Sequence, residues 1–130
     1  MEAELRSMRR PSGKSRFMKK YFVLYMAPMA EFQKLMAAST PEQSKGGMDA
    51  WMKWSQAHKG DIVDMGAPVG KTKRVSTAGA TDTKNEIGGY SIVQAESHDA
   101  ATKLFTLDHP HFWIPGAWVE VMEIMEMPGM

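Results

Sequence analysis

The segment from Asp108 to Trp113 holds the side chains of this sequence that are best suited to chemistry. His109 and His111 lie one residue apart, beside a carboxylate and two large aromatic side chains. An imidazole takes up and releases a proton near neutral pH, so the pair could act as a general acid and base or as two metal ligands. Pro110 fixes its own φ and favours an extended conformation at His109. We expect the aromatic residues of the segment to fold back against the core or to line a pocket.

The carboxylates that could assist these two histidines are Asp108 and Glu120. A metal site would need one of them as a third ligand, and no regular spacing supplies it, so we expect neither a metal nor a cofactor. In an acid–base mechanism, Asp108 or Glu120 would orient an imidazole ring. The structural alternative is that His109 caps backbone carbonyl groups and that His111 is partly exposed.

Glu120 is unusual because it lies within a predicted strand, between Val119 and Val121. A buried carboxylate is unfavourable unless it is paired. It would either bind a basic side chain across an interface or line a polar cavity. We favour the pairing, because buried charges are usually satisfied.

Aromatic residues of the second predicted helix form another candidate region. Trp51 and Trp54, with His58, could make a wall for a flat ligand, although a Trp and Met stripe at helical spacing more often belongs to the core. Asp64 is a further candidate because it borders the turn that begins at Gly66. The candidate ligand-binding residues are Trp51, Trp54, His58, Asp64, Tyr90 and Trp113.

Composition limits the classes of function. The 130 residues carry a net charge of +1, from 16 basic and 15 acidic residues, which favours neither nucleic acid nor a membrane surface as a partner. No apolar run is long enough to cross a bilayer. The absence of cysteine excludes disulfides and thiol catalysis and fits a cytoplasmic location.

Residues 1–17 are predicted to form a disordered basic arm, because Arg and Lys are scattered there among Ser, Gly and Pro with little apolar surface. The apolar stretch expected of a signal peptide is missing from this segment. Residues 18–130 are predicted to form a single domain.

The first half of this domain predicts one strand and two helices. Tyr21 to Met26 is a continuous apolar run, which predicts a strand buried on both faces at the centre of a sheet. A short helix is predicted from Glu31 to Ala38. Thr40 and Gln43 form the capping-box pattern of a second helix that runs to about Lys59. The predicted apolar stripe of this helix comprises Met48, Trp51, Met52, Ser55 and His58, with Trp54 at one margin.

The second half predicts strands over residues 61–67, 89–95 and 117–125. Residues 71–77 resemble an exposed strand, and the polar residues 78–86 predict a mobile hairpin loop. Ser97 is the predicted N-cap of a helix that ends near Leu107.

A phosphate-binding loop is suggested by the segment from Gly66 to Thr72, but we reject it. Three residues rather than four separate its glycines, and no helix is predicted to follow.

The order strand, helix, strand, strand, helix, strand predicts an α+β fold of the ferredoxin-like type, βαββαβ. Right-handed crossovers then give a four-stranded antiparallel sheet with two helices on one face. If Val119 and Val121 point to the helices, Trp118, Met122 and Ile124 lie on the uncovered face. An exposed apolar face usually marks an interface, so we expect a homodimer that buries two such faces.

Four short motifs, in order along the chain, carry a family resemblance. They are Tyr21-Phe22-Val23-Leu24-Tyr25, Val63-Asp64-Met65-Gly66-Ala67-Pro68, Ile87-Gly88-Gly89-Tyr90-Ser91-Ile92, and Asp108-His109-Pro110-His111 followed by Val119-Glu120-Val121. Together they span nearly everything after Met18, and the chain resembles the YCII-related (YciI-like) family. The resemblance implies a dimeric α+β barrel, related in fold to small monooxygenases and muconolactone-isomerase-like enzymes.

This resemblance also implies a site, from which the chain departs. Some members of the family carry a proposed histidine–aspartate pair, with the histidine on the first long helix. Asp49 stands at that position in this chain, and His58 is the only histidine of its predicted helix.

Two functional hypotheses follow, and both assume a small-molecule-binding homodimer. The first is a cofactor-independent enzyme that acts on a small planar organic substrate, with His109 or His111 moving a proton. The alternative is a non-catalytic dimer that binds a metabolite or a protein partner, since no nucleophile, metal cluster or phosphate loop stands out. The two differ in whether the imidazole rings open into a cavity or pack against Phe112 and Trp113.

Overall fold

Residues 18–127, the part of the chain that this computed structural model describes, form an α+β fold. The predicted disordered arm at residues 1–17 lies outside the described residues. Within the described range, a four-stranded sheet and a separate two-stranded sheet are accompanied by three α-helices. The elements are β1 (Lys19–Met26), α1 (Met29–Ala38), α2 (Pro41–Ala57), β2 (Ile62–Pro68), β3 (Thr72–Ser76), β4 (Gly79–Thr83), β5 (Ile87–Ala95), α3 (His98–Thr102), a 3-10 helix (Pro110–Trp113) and β6 (Trp118–Glu123).

The large sheet has the strand order β2–β5–β1–β6, and all neighbouring strands in it are antiparallel. β1 is therefore central, as its apolar run predicts. Its side chains alternate, so that Tyr21, Val23 and Tyr25 are buried while Phe22 and Leu24 are only half-buried. The prediction that both faces of β1 are buried is thus wrong for the single chain.

The covered face of the sheet carries the hydrophobic core. Val119 and Val121 of β6 pair with residues of β1 and share one face, as the alternation of the last strand predicts, and that face packs against this core. Trp51 of α2 packs against it from the helix side. The centre of the core consists of Tyr21, Val23, Tyr25, Val93, Ala95 and Ala101.

α2 begins with the capping box that Thr40 and Gln43 predict. The Thr40 Oγ1 atom accepts a hydrogen bond from the backbone N–H of Gln43 (3.1 Å), and the Gln43 Oε1 atom accepts one from the N–H of Thr40 (2.8 Å). The predicted apolar stripe is wrong in part, because Met48 and Met52 are 68% and 57% exposed. Trp54, which the pattern places at the margin, is buried instead. The helix turns its tryptophans to the core because they bury the most apolar area.

The polar stretch 78–86 is predicted as a loop but contains β4. This strand pairs with β3 in register, from Thr72 opposite Thr83 to Ser76 opposite Gly79. Gly79 has a φ of 118°, a conformation that lets the chain reverse directly into the second strand. The hairpin therefore forms a two-stranded sheet of its own, separate from the large sheet.

α3 is shorter than predicted. Ser97 caps it, since the Ser97 Oγ atom accepts a hydrogen bond from the backbone N–H of Ala100 (3.1 Å). The helix ends at Thr102 rather than near Leu107, and the chain continues in separate turns toward the histidine segment. None of the helices within residues 18–127 has the length and apolar character to cross a membrane.

Candidate functional site

A 3-10 helix over Pro110–Trp113 positions the two histidines that the sequence singles out. His109 is its N-cap and is extended, with φ −61° and ψ 136°, as a residue before proline should be. The His109 Nδ1 atom accepts a hydrogen bond from the backbone N–H of His111 (3.0 Å). This contact requires a lone pair on Nδ1, so the neutral ring carries its proton on Nε2.

Aromatic rings surround the imidazole of His109, which is 2% exposed. The rings of Trp51 and Trp54 lie 4.6 Å and 4.7 Å from it in edge-on geometry, and Tyr25 stacks at 5.9 Å. Phe105 closes a further side at 5.6 Å. Among the described residues the buried Nε2 atom has no hydrogen-bond partner. Its N–H group is therefore left with weak π acceptors in place of an oxygen or nitrogen atom.

Burial governs the protonation of His109. The pKa of His109 is lowered to about 4, chiefly by removal of the ring from water and secondly by the nearby His111, whereas the carboxylate of Asp108 acts in the opposite direction. The ring is consequently neutral at pH 7. A neutral imidazole in this position can donate one hydrogen bond through Nε2. Its Nδ1 lone pair is already used by the His111 N–H group, so none is free for a metal ion, and the ring carries no charge that would bind an anion.

His111 connects two strands. Its Nε2 atom donates to the backbone oxygens of Met26 (2.8 Å) and Trp118 (3.1 Å), which lie opposite each other at the end of β1 and the start of β6. The residue is 5% exposed, and burial lowers its pKa although the two backbone bonds act to raise it. The structural alternative drawn from the sequence is wrong in both parts: His109 accepts from an amide instead of binding carbonyl groups, and His111, which binds the carbonyl groups, is buried rather than partly exposed.

Among the described residues, neither candidate carboxylate forms a hydrogen bond or an ion pair with the imidazole ring of His109 or His111. Asp108 is exposed and accepts a hydrogen bond from the Thr106 hydroxyl, which lowers the pKa of the Asp108 carboxyl. Glu120 is also exposed, contrary to the expected burial, and its Oε2 atom accepts from the Trp118 indole N–H (2.9 Å). Glu120 pairs with Leu24, so its side chain is on the open face of the sheet, while His109 is on the covered face.

A buried hydrogen-bond chain adjoins the histidine cluster. The Tyr25 hydroxyl lies 2.9 Å from Ser91 Oγ, and Ser91 Oγ donates to the backbone oxygen of Met65 (2.7 Å). Since the Ser91 proton is used toward Met65, Tyr25 is the donor to Ser91. Burial raises the pKa of Tyr25 to about 12, against the effect of the bond to Ser91. The sequence analysis did not predict this chain of hydrogen bonds. The one signal for it in the sequence is Ser91, a single hydroxyl residue among the inward-facing positions of an otherwise apolar strand.

Of the candidate ligand-binding residues, the structure gathers Trp51, Trp54 and His58, since the rings of Trp54 and His58 lie 5.6 Å apart. Tyr90 is elsewhere and packs against Phe22 at 5.8 Å on the open sheet face.

The two remaining candidates also stand apart from this cluster. The Asp64 Oδ1 atom accepts from the backbone N–H of Gly66 (2.8 Å), which supports a turn in β2. Trp113 is 56% exposed, so the expectation that both aromatic residues after His111 fold against the core is wrong for Trp113.

Two clefts lie near these elements, and neither is lined by a histidine. One, of about 370 Å³, lies beside β6 and includes Phe105 and Phe112 in its wall. The other, of about 610 Å³, lies between α1 and the β3–β4 hairpin. Within residues 18–127 no group of three or more histidine and carboxylate side chains is placed to hold a metal ion.

A scan against protein-family models and a search of curated proteins gave no match to this chain. The arrangement itself therefore carries the functional argument. It consists of a sealed imidazole in an aromatic cluster, a second imidazole that ties β1 to β6, and an open apolar sheet face.

Proposed function

We propose that this protein is a small-molecule-binding homodimer of the YCII-related type, with the dimeric α+β barrel architecture that the resemblance implies. The strand order β2–β5–β1–β6 supports the ferredoxin-like part of this proposal, because it becomes the order of a βαββαβ fold when the β3–β4 hairpin is counted as an insertion.

The open face of the sheet is the observation that carries the proposal. Apolar side chains of the three strands β5, β1 and β6 line it side by side, and their registers place them on the same face. Contiguous apolar surface of this kind marks an interface, and a second copy of the same face is its simplest partner. The side chains are Phe22, Leu24, Met26, Tyr90, Ile92, Trp118 and Met122.

Glu120 has a role in this dimer. Its carboxylate lies within the open apolar face and has one hydrogen bond, to the Trp118 indole. Pairing of two faces would remove the carboxylate from water, which is unfavourable without a further partner. We therefore assign Glu120 to an interaction with a basic side chain of the second copy.

Sedimentation analysis tests the dimer. The wild-type chain should sediment at twice the monomer mass at micromolar concentration. Trp118→Glu and, separately, Met122→Glu should give monomers, because each places a charge in the paired face. Met48→Glu is the matched control, since Met48 is an exposed apolar residue on α2 and the variant should remain dimeric. A monomeric wild-type chain, or dimers in all three variants, would contradict the proposal.

Ligand binding without catalysis is the function that the histidine cluster supports best. His111 is committed to two backbone oxygens, and His109 is sealed and neutral. Neither ring is hydrogen-bonded to Asp108 or Glu120, the two candidate carboxylates. A thermal-shift screen of small aromatic acids and lactones should identify stabilising compounds. A screen in which no compound raises the melting temperature would contradict small-molecule binding.

The cofactor-independent enzyme remains the second candidate, and one observation favours it. The His109 Nε2 atom is buried without a partner, which is the kind of donor that a substrate oxygen could satisfy. The rings of Phe105 and Phe112 lie between it and the 370 Å³ cleft, so a substrate would have to displace them. His109→Asn should abolish turnover of any substrate found by screening. Full turnover in this variant would exclude acid–base catalysis by His109.

A further inference from the structure

The larger of the two clefts lies between α1 and the β3–β4 hairpin. Its volume of about 610 Å³ is in the range of small-molecule sites. Its lining comes from the start of α1, the β2–β3 link, the hairpin and the β4–β5 link. None of the candidate catalytic or ligand-binding residues named from the sequence lines it.

Hydrogen bonds hold the walls of this cleft in place. The backbone N–H of Ala27 donates to the oxygen of Glu86 (3.0 Å), which ties the end of β1 to the β4–β5 link. The Asn85 side chain donates to the Thr72 hydroxyl (3.2 Å) and accepts from the backbone N–H of Ile87 (2.9 Å). The cleft is thus formed before any ligand arrives, which lowers the entropic penalty of binding.

The inner part of the cleft is apolar. Ala27 is 5% exposed, and Met29, Phe32 and Ile87 are half-buried along the same wall. A planar hydrocarbon body would bury its surface against these side chains, and the burial of apolar surface favours binding. This part of the cleft selects for a ligand with an apolar body.

The rim of the cleft carries excess positive charge. Lys73 is paired with Asp82, with 2.7 Å between Nζ and Oδ1. Two further lysines, Lys71 and Lys84, line the rim together with one acid, Glu86, and make no ion pair among the described residues. Two ammonium groups against one carboxylate leave one positive charge, which matches a ligand with a single negative charge.

We propose that this cleft binds a small organic carboxylate whose apolar body rests on Phe32 and Ile87 and whose carboxylate meets Lys71 and Lys84. The inference deepens the small-molecule binding proposed above and rests on it. It adds the place of binding and the chemical class of the ligand.

Two probes of the same shape test the assignment: 2-naphthoate, which carries the carboxylate, and 2-naphthamide, which is neutral. Titration of the full chain labelled with ¹⁵N should shift the backbone amides that line the cleft, from Val69 to Lys73 and from Lys84 to Gly88. The amide probe should bind more weakly by roughly tenfold, since two exposed charge contacts are lost. Equal affinity of the two probes, or shifts confined to the open sheet face, would overturn the proposal.

Variants of the lysines give the second arm. Lys71→Gln combined with Lys84→Gln should weaken the binding of 2-naphthoate by roughly tenfold and leave the binding of 2-naphthamide unchanged. Lys53→Gln combined with Lys59→Gln is the control, because Lys53 in α2 and Lys59 just after this helix are exposed and do not line the cleft. An unchanged affinity for 2-naphthoate in the cleft variant, or no binding of it at millimolar concentration, overturns the cleft assignment. The broader proposal is judged separately, by sedimentation and by the thermal-shift screen.

Discussion

The His109 Nδ1 atom accepts a hydrogen bond from the backbone N–H of His111 at 3.0 Å, across a single proline. The contact satisfies a donor at the start of the 3-10 helix and decides which nitrogen of His109 carries the proton. Because the Nε2–H group then points among aromatic rings, the neutral form of His109 is built into the fold. The stability of the protein is therefore coupled to pH at this residue.

Stability should fall as the solution is acidified from pH 7 to pH 4. The unfolded chain takes up a proton on His109 near pH 6.5, whereas the folded chain resists it until about pH 4. Between these values the unfolded state binds more protons, so the free energy of unfolding decreases as pH falls, by at most about 3 kcal/mol for this residue. The lowered pKa of His111 acts in the same direction. Urea unfolding at pH 7, 5.5 and 4.5 measures how steeply the free energy of unfolding changes with pH.

His109→Asn provides the control for this pH dependence. Asparagine is a good N-cap and keeps an oxygen to accept from the His111 N–H, but it does not titrate. The variant should be less stable than wild type at pH 7, because it leaves space among the rings, and it should show a flatter pH slope. A slope equal to that of the wild type would mean that another group controls the acid sensitivity.

His111→Asn should destabilise the fold by about 1–3 kcal/mol, because the shorter side chain leaves buried backbone oxygens of β1 and β6 without their donor. His98→Asn is the matched control. The His98 Nε2 atom also bonds a backbone oxygen, that of Val121 (2.8 Å), but the residue is exposed and water can replace the bond. Its loss should change stability by about 0.5 kcal/mol or less. Equal melting temperatures for the two variants would contradict the assignment of His111 as a buried tie between strands.

Ser91→Ala should be more destabilising than Tyr25→Phe. Removal of the serine hydroxyl leaves both the Tyr25 donor and the Met65 oxygen without a partner, which should lower the free energy of unfolding by about 1–3 kcal/mol. Removal of the tyrosine hydroxyl leaves the bond from Ser91 to Met65 intact and should lower the free energy of unfolding by about 0.5–1.5 kcal/mol. Chemical denaturation of both variants gives the comparison, and the reverse order would refute the proposed direction of the hydrogen-bond chain.

Gly66→Ala and Gly46→Ala should have opposite effects. Gly66 has a φ of 77°, and a Cβ there would lie 1.7 Å from the backbone oxygen of Tyr90, so alanine should destabilise by about 3 kcal/mol or more. Gly46 lies in α2 with open space around it, and alanine there should raise stability by about 0.5–1 kcal/mol. Thermal melting of both variants tests the pair, and a tolerated Gly66→Ala would argue against the turn within β2.

Local patterns in the sequence determined much of the secondary structure. The Thr40 and Gln43 capping box, the Ser97 cap and the extended conformation before Pro110 all formed as predicted, because each depends on atoms within about three residues of one another. The alternation of β6 likewise grouped Val119 with Val121 on one face, since successive side chains of a strand point to opposite faces, and in the structure that face packs on the core. The α+β class follows from these elements.

Tertiary structure alone decided what the candidate site residues do. His111 bonds Met26, 85 residues away, and Tyr25 bonds Ser91, 66 residues away, so both contacts exist only through the register of the sheet. The choice of Trp54 over Met48 for the core side of α2 also depends on which large rings fit around His109. Hydrophobic periodicity predicts that one face of a helix is buried, but several sets of side chains fit the same periodicity, so the pattern does not identify which side chains are buried. Long-range packing selects among them, because close-packed interiors accept only the shapes that fit.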